Sequence, residues 1–233
     1  MISIVSDLHL ERNCTITAIK SILNGCNKKI VVLSGDVCTF KTRNSLNTLF
    51  QSIKPNYDKV FYVLGNHEYI GSKYTYNDTL KEYRRICSNN SVDLLENEMV
   101  IYNSLKICGT TLWTNPFDNS TKYRKKIRGL HNEALIYLNG LSNVDILITH
   151  HLPSYSLIDT RFKQNHDLYA SNSDHLFLKT RLFIHGHTHR RINTNMGNTR
   201  VVCNPYVNES YFKPFAIALC NCPLRVKKAI KKV

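Results

Sequence analysis

Several short apolar runs in this chain end in residues that hold metals or move protons. Residues 2–6 (ISIVS) lead into Asp7-Leu8-His9, residues 29–34 into Gly35-Asp36, and residues 59–64 into Gly65-Asn66-His67-Glu68. Residues 144–149 run into His150-His151, and residues 181–184 into His185-Gly186-His187-Thr188-His189. Taken singly, each is weak: an Asp at a strand end is usually a turn residue, and a lone His is usually a satisfied polar group. Five in succession, each beside a glycine, proline or turn, exceed what structure alone requires. Carboxylates, imidazoles and an amide oxygen without a thiolate suit Mn, Fe or Zn rather than a structural cysteine–zinc centre. The set also offers more donors than one tetrahedral ion takes. Two ions about 3.5–4 Å apart, bridged by a shared aspartate, are the arrangement used for in-line attack on phosphorus.

The elements that must position these groups follow from the apolar pattern. Runs at 2–6, 29–34, 59–64, 105–112, 144–149, 181–184, 199–203 and 215–219 are short, apolar and often β-branched, as strands covered on both faces should be. Between them, residues 15–25, 44–53, 77–89 and 123–141 carry helical periodicity. Alternating strands and helices imply an α/β protein with a layered sheet, and ligand sites in such sheets lie at the carboxyl edge of the strands. No repeat or composition break divides the chain, so residues 1–233 are expected to form a single domain with a short basic tail at about 225–233.

Bulk composition narrows the function less. The 31 Lys and Arg against 17 Asp and Glu leave a formal charge of +14, a field that attracts polyanions and phosphorylated substrates without naming one. High Asn, Lys, Ile and Tyr usage is also what an AT-rich coding genome produces. No apolar stretch reaches the length of a membrane span, and the N-terminal segment lacks a signal-peptide pattern. The eight cysteines show no CxxC spacing and several sit in apolar segments, as reduced buried thiols do. An intracellular, cytoplasmic protein without a membrane contact is the expectation.

Taken in order, D-x-H at 7–9, G-D at 35–36, G-N-H-E at 65–68, the His of T-H-H-x-P at 149–153 and G-H-x-H at 186–189 resemble the calcineurin-like metallophosphoesterase superfamily. TTLWTNP (110–116), ITHHLPS (148–154) and GNTRVVCNP (197–205) are similar to its small bacterial-type branch. The resemblance implies a four-layer α/β/β/α sandwich and a metal-dependent phosphoric ester hydrolase acting through metal-activated hydroxide. It further implies that Asp7, His9 and His189 hold one ion, that Asn66, His150 and His187 hold another, and that Asp36 bridges them. His67 is then the catalytic residue over the substrate, and Glu68 a helix-start carboxylate or one that orients an imidazole. The chain departs from that branch at Thr121-Lys122, where an acidic residue is expected, and in the short segment after LWTNP. Both lie where substrate choice is set.

Residues outside the set carry blander expectations. His185 should be a hydrogen-bonded neighbour that fixes the turn, and His151 should point away from His150 on an extended segment. His131 belongs on a helix, and His166 and His175 flank a candidate substrate-side loop. The run KYRKKIR (122–128) reads as a solvated basic face that could steer a polyanion. Expected substrates are a phosphorylated small molecule, a nucleotide or a nucleic acid, as a phosphate mono- or diester. The competing classes are a non-catalytic metal-binding scaffold of the same fold and a basic nucleic-acid-binding protein with a vestigial site.

Overall fold

The structure, a computed structural model, describes residues 1–12, 30–118, 120–206 and 216–217. Its strands in the first half of the chain are β1 (Ile2–Val5), β2 (Ile30–Ser34), β3 (Lys59–Val63), β4 (Asp93–Leu94), β5 (Glu98–Tyr102) and β6 (Leu105–Thr110). The remainder are β7 (Val144–Thr149), β8 (Thr180–His185), β9 (Ile192–Met196), β10 (Thr199–Cys203) and β11 (Ala216–Ile217). Among the described residues, three α-helices accompany them: α1 (Ser45–Ile53), α2 (Tyr76–Asn89) and α3 (Lys122–Gly140). One sheet has the order β11-β1-β2-β3-β4 and the other β5-β6-β7-β8-β10-β9. Neighbours within β1 to β4 are parallel, as are β6-β7, β7-β8 and β8-β10. The strand ends that carry Asp7, Asp36 and Asn66 therefore share one edge, and those that carry His150 and His187 share another.

Alternation along the strands builds the layers. Ile2, Ile4, Ile30, Val32, Phe61 and Val63 face the second sheet and pack on its Ile107, Ile146, Ile148, Leu182 and Ile184. Their neighbours Val5, Val31, Leu33, Val60 and Tyr62 face outward to Leu46, Leu49, Phe50 and Ile53 of α1 and to Tyr83 and Ile86 of α2. On the far side, Cys108, Leu147, Phe183 and Val201 receive Ala134 and Leu138 of α3. Three apolar seams between four layers give the α/β/β/α sandwich. Because most strands are buried on both faces, they read as continuous apolar runs.

The helices follow their local signals. In α1 the buried positions Leu46, Leu49, Phe50 and Ile53 are spaced as one helical face. Thr75 caps α2 by accepting from the Asp78 amide, and Thr121 caps α3 by accepting from the Arg124 amide. Helices expected at 44–53, 77–89 and 123–141 are found within one residue at each end. The helix expected at 15–25 and the basic tail at 225–233 lie outside the described residues. Strands β4, β5 and β9 were not expected. The last reads I-N-T-N-M, a polar edge strand whose exposed side chains leave no apolar pattern to detect.

Among the described residues, no helix is long and apolar enough to cross a membrane. Cys38, Cys87, Cys108 and Cys203 are free and buried. Phe61 is fully buried in the seam between the sheets. Phe61→Ala should cost about 3–5 kcal/mol through lost burial and the cavity left behind, measured by urea denaturation. A loss below about 1 kcal/mol would show that the inter-sheet seam relaxes and does not hold the two sheets in place.

Candidate metal centre

Beyond the last strand residues, the loops of the first sheet go on pairing. The Asp7 amide donates to the Gly35 carbonyl at 2.9 Å, the His9 amide to the Asp36 carbonyl at 3.0 Å and the Leu10 amide to the Val37 carbonyl at 2.9 Å. Further bonds cross from one sheet to the other. The His150 ring meets the Ser34 carbonyl through Nδ1 at 2.9 Å, and the Ser6 amide donates to the Asn204 carbonyl at 3.1 Å. The His187 amide donates to Asp7 Oδ1 at 3.0 Å. Gly35, at φ +85°, lies against His150: a Cβ there would stand 2.2 Å from Nδ1 of that ring. Several of the donors themselves carry backbone strain. Asp7, His9, Asp36, His187 and His189 all have φ between 46° and 67°, a left-handed region that costs a non-glycine residue about 1–3 kcal/mol.

All seven expected donors come together at this junction. Asp7, His9, Asp36 and His189 form one group and His150, His151 and His187 another, with one donor atom from each member of a group within 4.8 Å of the others. Nε2 of His9 stands 3.2 Å from Nε2 of His189, and the latter is 3.4 Å from Asp7 Oδ1. Nε2 of His150 is 3.3 Å from Asp36 Oδ1 and 3.2 Å from Asn66 Oδ1. Two imidazole nitrogens on one tetrahedral ion, each about 2.0–2.1 Å from it, stand about 3.3 Å apart. The observed separations are compatible with donors that share an ion, and the chemistry of the residues present fits divalent metals.

Both carboxylates are buried, each about 1% exposed. Burial alone would raise the Asp7 pKa, but hydrogen bonding from His189 and the charge of His150 bring it below the ordinary value. Asp36 is likewise depressed against its burial, chiefly by His150. Burial works against charge on His150, but Asp36 beside it prevails and lifts that ring to about 9. For His187, burial and then the charge of His150 push the ring down to about 4, which favours a neutral imidazole with a free lone pair.

Two glutamates frame the donors. Glu68 is fully buried in a 3-10 turn at His67–Tyr69. Its Oε2 accepts from the amides of Asp36 (3.1 Å) and Gly65 (2.7 Å). Its Oε1 accepts from the amides of Val37 (2.7 Å) and Cys38 (3.3 Å) and from the Tyr62 hydroxyl (2.6 Å). Glu68 thus holds backbone and not an imidazole, because its side chain turns inward beneath the loop. The imidazole-orienting carboxylate is Glu11, which the sequence reading missed. Its Oε1 lies 3.0 Å from Nδ1 of His9 and 3.1 Å from Nδ1 of His67. Burial tends to raise the Glu11 carboxyl, but those bonds outweigh it and hold it at about 2. His67 is raised in turn, first by the bond to Glu11. The H-L-E spacing of residues 9–11 could have placed Glu11 on the same side as His9.

The other histidines resolve individually. His151 does not point away: its ring lies 4.3 Å from that of His187 and 5.0 Å from that of His150. Alternation failed because the chain bends directly after β7. His185 is buried with Nδ1 3.0 Å from the Gly186 carbonyl, the expected turn-fixing contact, and burial pushes its pKa down to about 4. His131 packs α3 by meeting the Leu112 carbonyl at 2.9 Å. His166 packs between Phe117 and Tyr155, while exposed His175 meets Asn139. The segment between them reaches the site, with the Leu168 carbonyl 3.4 Å from Nε2 of His187.

A four-layer sandwich with clustered carboxylates and imidazoles where the edges of its two sheets meet is the architecture of a metal-site hydrolase fold. The chain belongs to the calcineurin-like phosphoesterase family, whose sequence profile matches residues 1–191. It is similar in structure to a phosphopantetheinyl hydrolase from Mycobacterium tuberculosis, with a TM-score of 0.70 at 14% identity over 95% of this chain and 98% of that one. An archaeal phosphodiesterase aligns with a TM-score of 0.44 at 17% identity, covering 88% of this chain and 86% of that one. An uncharacterized protein of Acanthamoeba polyphaga mimivirus is 33% identical over 155 residues, 61% of this chain and 55% of that protein. The matched region thus spans about half the length of that relative.

The role of Glu68 as a loop holder can be tested without an activity assay. In Glu68→Gln, whichever way the amide is set, its NH2 group faces donors it cannot accept from. Stability should fall by about 2–3 kcal/mol in chemical denaturation. A change under about 0.5 kcal/mol would show that the five bonds do not hold the two loops.

Proposed function

We propose that this chain is a dinuclear metal-dependent phosphoesterase that hydrolyses a phosphate mono- or diester, with a nucleotide-type substrate favoured. The observation that carries the reading is the pair of buried carboxylates, Asp7 and Asp36, ringed by imidazoles at metal-sharing distances beside a partly exposed His67. In this reading Asp7, His9 and His189 hold one divalent ion, Asn66, His150 and His187 the other, and Asp36 reaches both. Mn, Fe or Zn bound there supplies Lewis-acid charge for the phosphoryl oxygens and a water acidified toward neutral pH.

The side chains around that centre have distinct tasks. Glu11 accepts from Nδ1 of His9, which leaves Nε2 of that ring as the donor atom. The same carboxylate orients His67, whose backbone amide is fixed by a 2.8 Å bond to Asp36 Oδ1. The His67 side chain is 20% exposed and its Nε2 is 3.9 Å from Asp36 Oδ2, which supports a role beside a phosphoryl group bound at the centre. From there His67 neutralises a phosphoryl oxygen or protonates the leaving oxygen. The Leu168 carbonyl lies 3.4 Å from Nε2 of His187 at the edge of the centre.

Purified protein with added Mn2+ should hydrolyse p-nitrophenyl phosphate or its bis ester, and a chelator should stop it. His67→Ala should lower kcat by about 10²- to 10⁴-fold while metal content by elemental analysis is retained. Asp36→Asn should lose bound metal and activity together; if both survive, Asp36 is not the bridge. Metal retained by the parent protein without turnover of either ester would favour the scaffold reading. Salt-sensitive retention on DNA without hydrolysis would favour a nucleic-acid-binding protein.

A further inference from the structure

Beside the metal centre lies a cavity of about 260 Å³ that begins at Asn66 and runs between the turn after β3, the start of α2, the segment after β6 and the first turns of α3. Its walls are aromatic. The rings of Tyr69 and Tyr76 are stacked with centroids 4.7 Å apart and planes 8° from parallel, and Trp113 closes on both at 5.4 and 6.2 Å. Tyr74 and Tyr123, more than 60% exposed, line it as well. Aromatic side chains left in water around one cavity are uncommon on a soluble surface and mark contact sites. Polar groups sit among them: Nζ of Lys126 lies 5.7 Å from the Tyr76 ring centroid, and the hydroxyls of Ser72 and Thr79 are bonded to each other at 2.7 Å on the wall.

The cavity is continuous with the donors at two points. Asn66, proposed above as a ligand, belongs to its lining, and Trp113 stacks on His151 at 5.5 Å and 25°, which in turn lies 4.3 Å from His187. Leu112 and Trp113 both have positive φ, at 64° and 53°, so the backbone is strained at the place that aims the indole. The basic run at 122–128 also divides here. Arg124 is tied to Asp118 and Arg128 to the Pro116 carbonyl, while Tyr123 and Lys126 face the cavity.

We propose that this cavity is a base-binding subsite, which seats the heteroaromatic base of a nucleotide whose phosphate lies on the metal centre. Flat aromatic walls bind any base by its π-face, and the lysine at the rim can donate to an acceptor on a base edge. A plain phenyl group, as in a phosphotyrosyl side chain, would stack but offer the Lys126 ammonium no acceptor. The excess of basic residues suits a phosphate-bearing ligand of either kind. The location of the phosphate rests on the phosphoesterase reading; binding of the base does not.

Trp113 is the chain's one tryptophan, so its fluorescence reports this cavity directly. In chelator, with no turnover, adenosine 5′-monophosphate should quench it saturably, and ribose 5-phosphate should not. Lys126→Met on the exposed face of α3 and Tyr76→Ala should each weaken that binding about tenfold. Both variants are checked by circular dichroism, with the surface lysine as the one least able to disturb folding. With Mn2+ added, each variant should lower the kcat/KM ratio of adenosine monophosphate to glycerol phosphate by a similar factor. Equal or absent quenching by the two phosphates overturns the subsite, as does preferential quenching by phosphotyrosine. An unchanged ratio in an active enzyme overturns it too. If neither ester is hydrolysed but the base still quenches, the phosphoesterase reading falls and the base-binding site stands.

Discussion

The structure turns on the closeness with which its two sheets meet at their carboxyl edges. Gly186, at the end of β8, lies so near the first sheet that a Cβ would stand 2.6 Å from the Ser34 carbonyl and 2.9 Å from Ser6 Cβ. With only hydrogen there, the two edges close until side chains from one sheet meet backbone of the other. His150 reaches the Ser34 carbonyl and Asp7 accepts from the His187 amide. A wider junction would still fold as a sandwich. It would separate Asp36 from His150 and Asp7 from His189, which now stand 3.3 and 3.4 Å apart.

This closeness has a cost that other interactions offset. Five donors sit at positive φ, and each such residue disfavours the folded state by about 1–3 kcal/mol. Loops left to themselves would relax to ordinary backbone angles. They are held because the hydrogen-bond ladders continue past the strand ends and because Glu68 gathers five donors from two loops and β3 in one buried carboxylate. Burial raises the pKa of Glu68, as does the nearby charge of Asp36, whereas its bonds to Tyr62 and the Gly65 amide act the other way. Strain in the donor loops and the anchor under them are parts of one arrangement: the anchor lets the chain keep angles that aim carboxylates and rings inward.

What was readable in the sequence is what depends on neighbours along the chain. Apolar strands buried on both faces, helical faces such as Leu46-Leu49-Phe50-Ile53, and polar residues at strand ends are all local signals, and from them the α/β layering and the polar strand ends could be read. The order of those polar motifs, through its resemblance to a known family, supplied the particular seven donors expected. His151 was misjudged because alternation holds only while the backbone stays extended, and the chain bends at residues 150–151. Glu11 was overlooked because its importance comes from His67, 56 residues away, and not from its own neighbourhood. The polar edge strand β9 carries no periodicity, since its partner β10 and not its own side chains defines it.

The basic run at 122–128 shows the same limit in another form. As a string it is a cluster of charge, and charge clusters on helices are usually solvated. A helix, however, distributes seven consecutive residues over every side, so a run has no single face. Arg124 and Arg128 turn to the segment before α3, Ile127 is buried, and Tyr123 and Lys126 face the aromatic cavity. The cavity that Tyr123 and Lys126 face is built with Tyr69, Tyr76 and Trp113, which arrive from two other parts of the chain. Where specificity is built from elements far apart in sequence, motif order identifies the chemistry of the centre, and packing around it selects what that chemistry acts on.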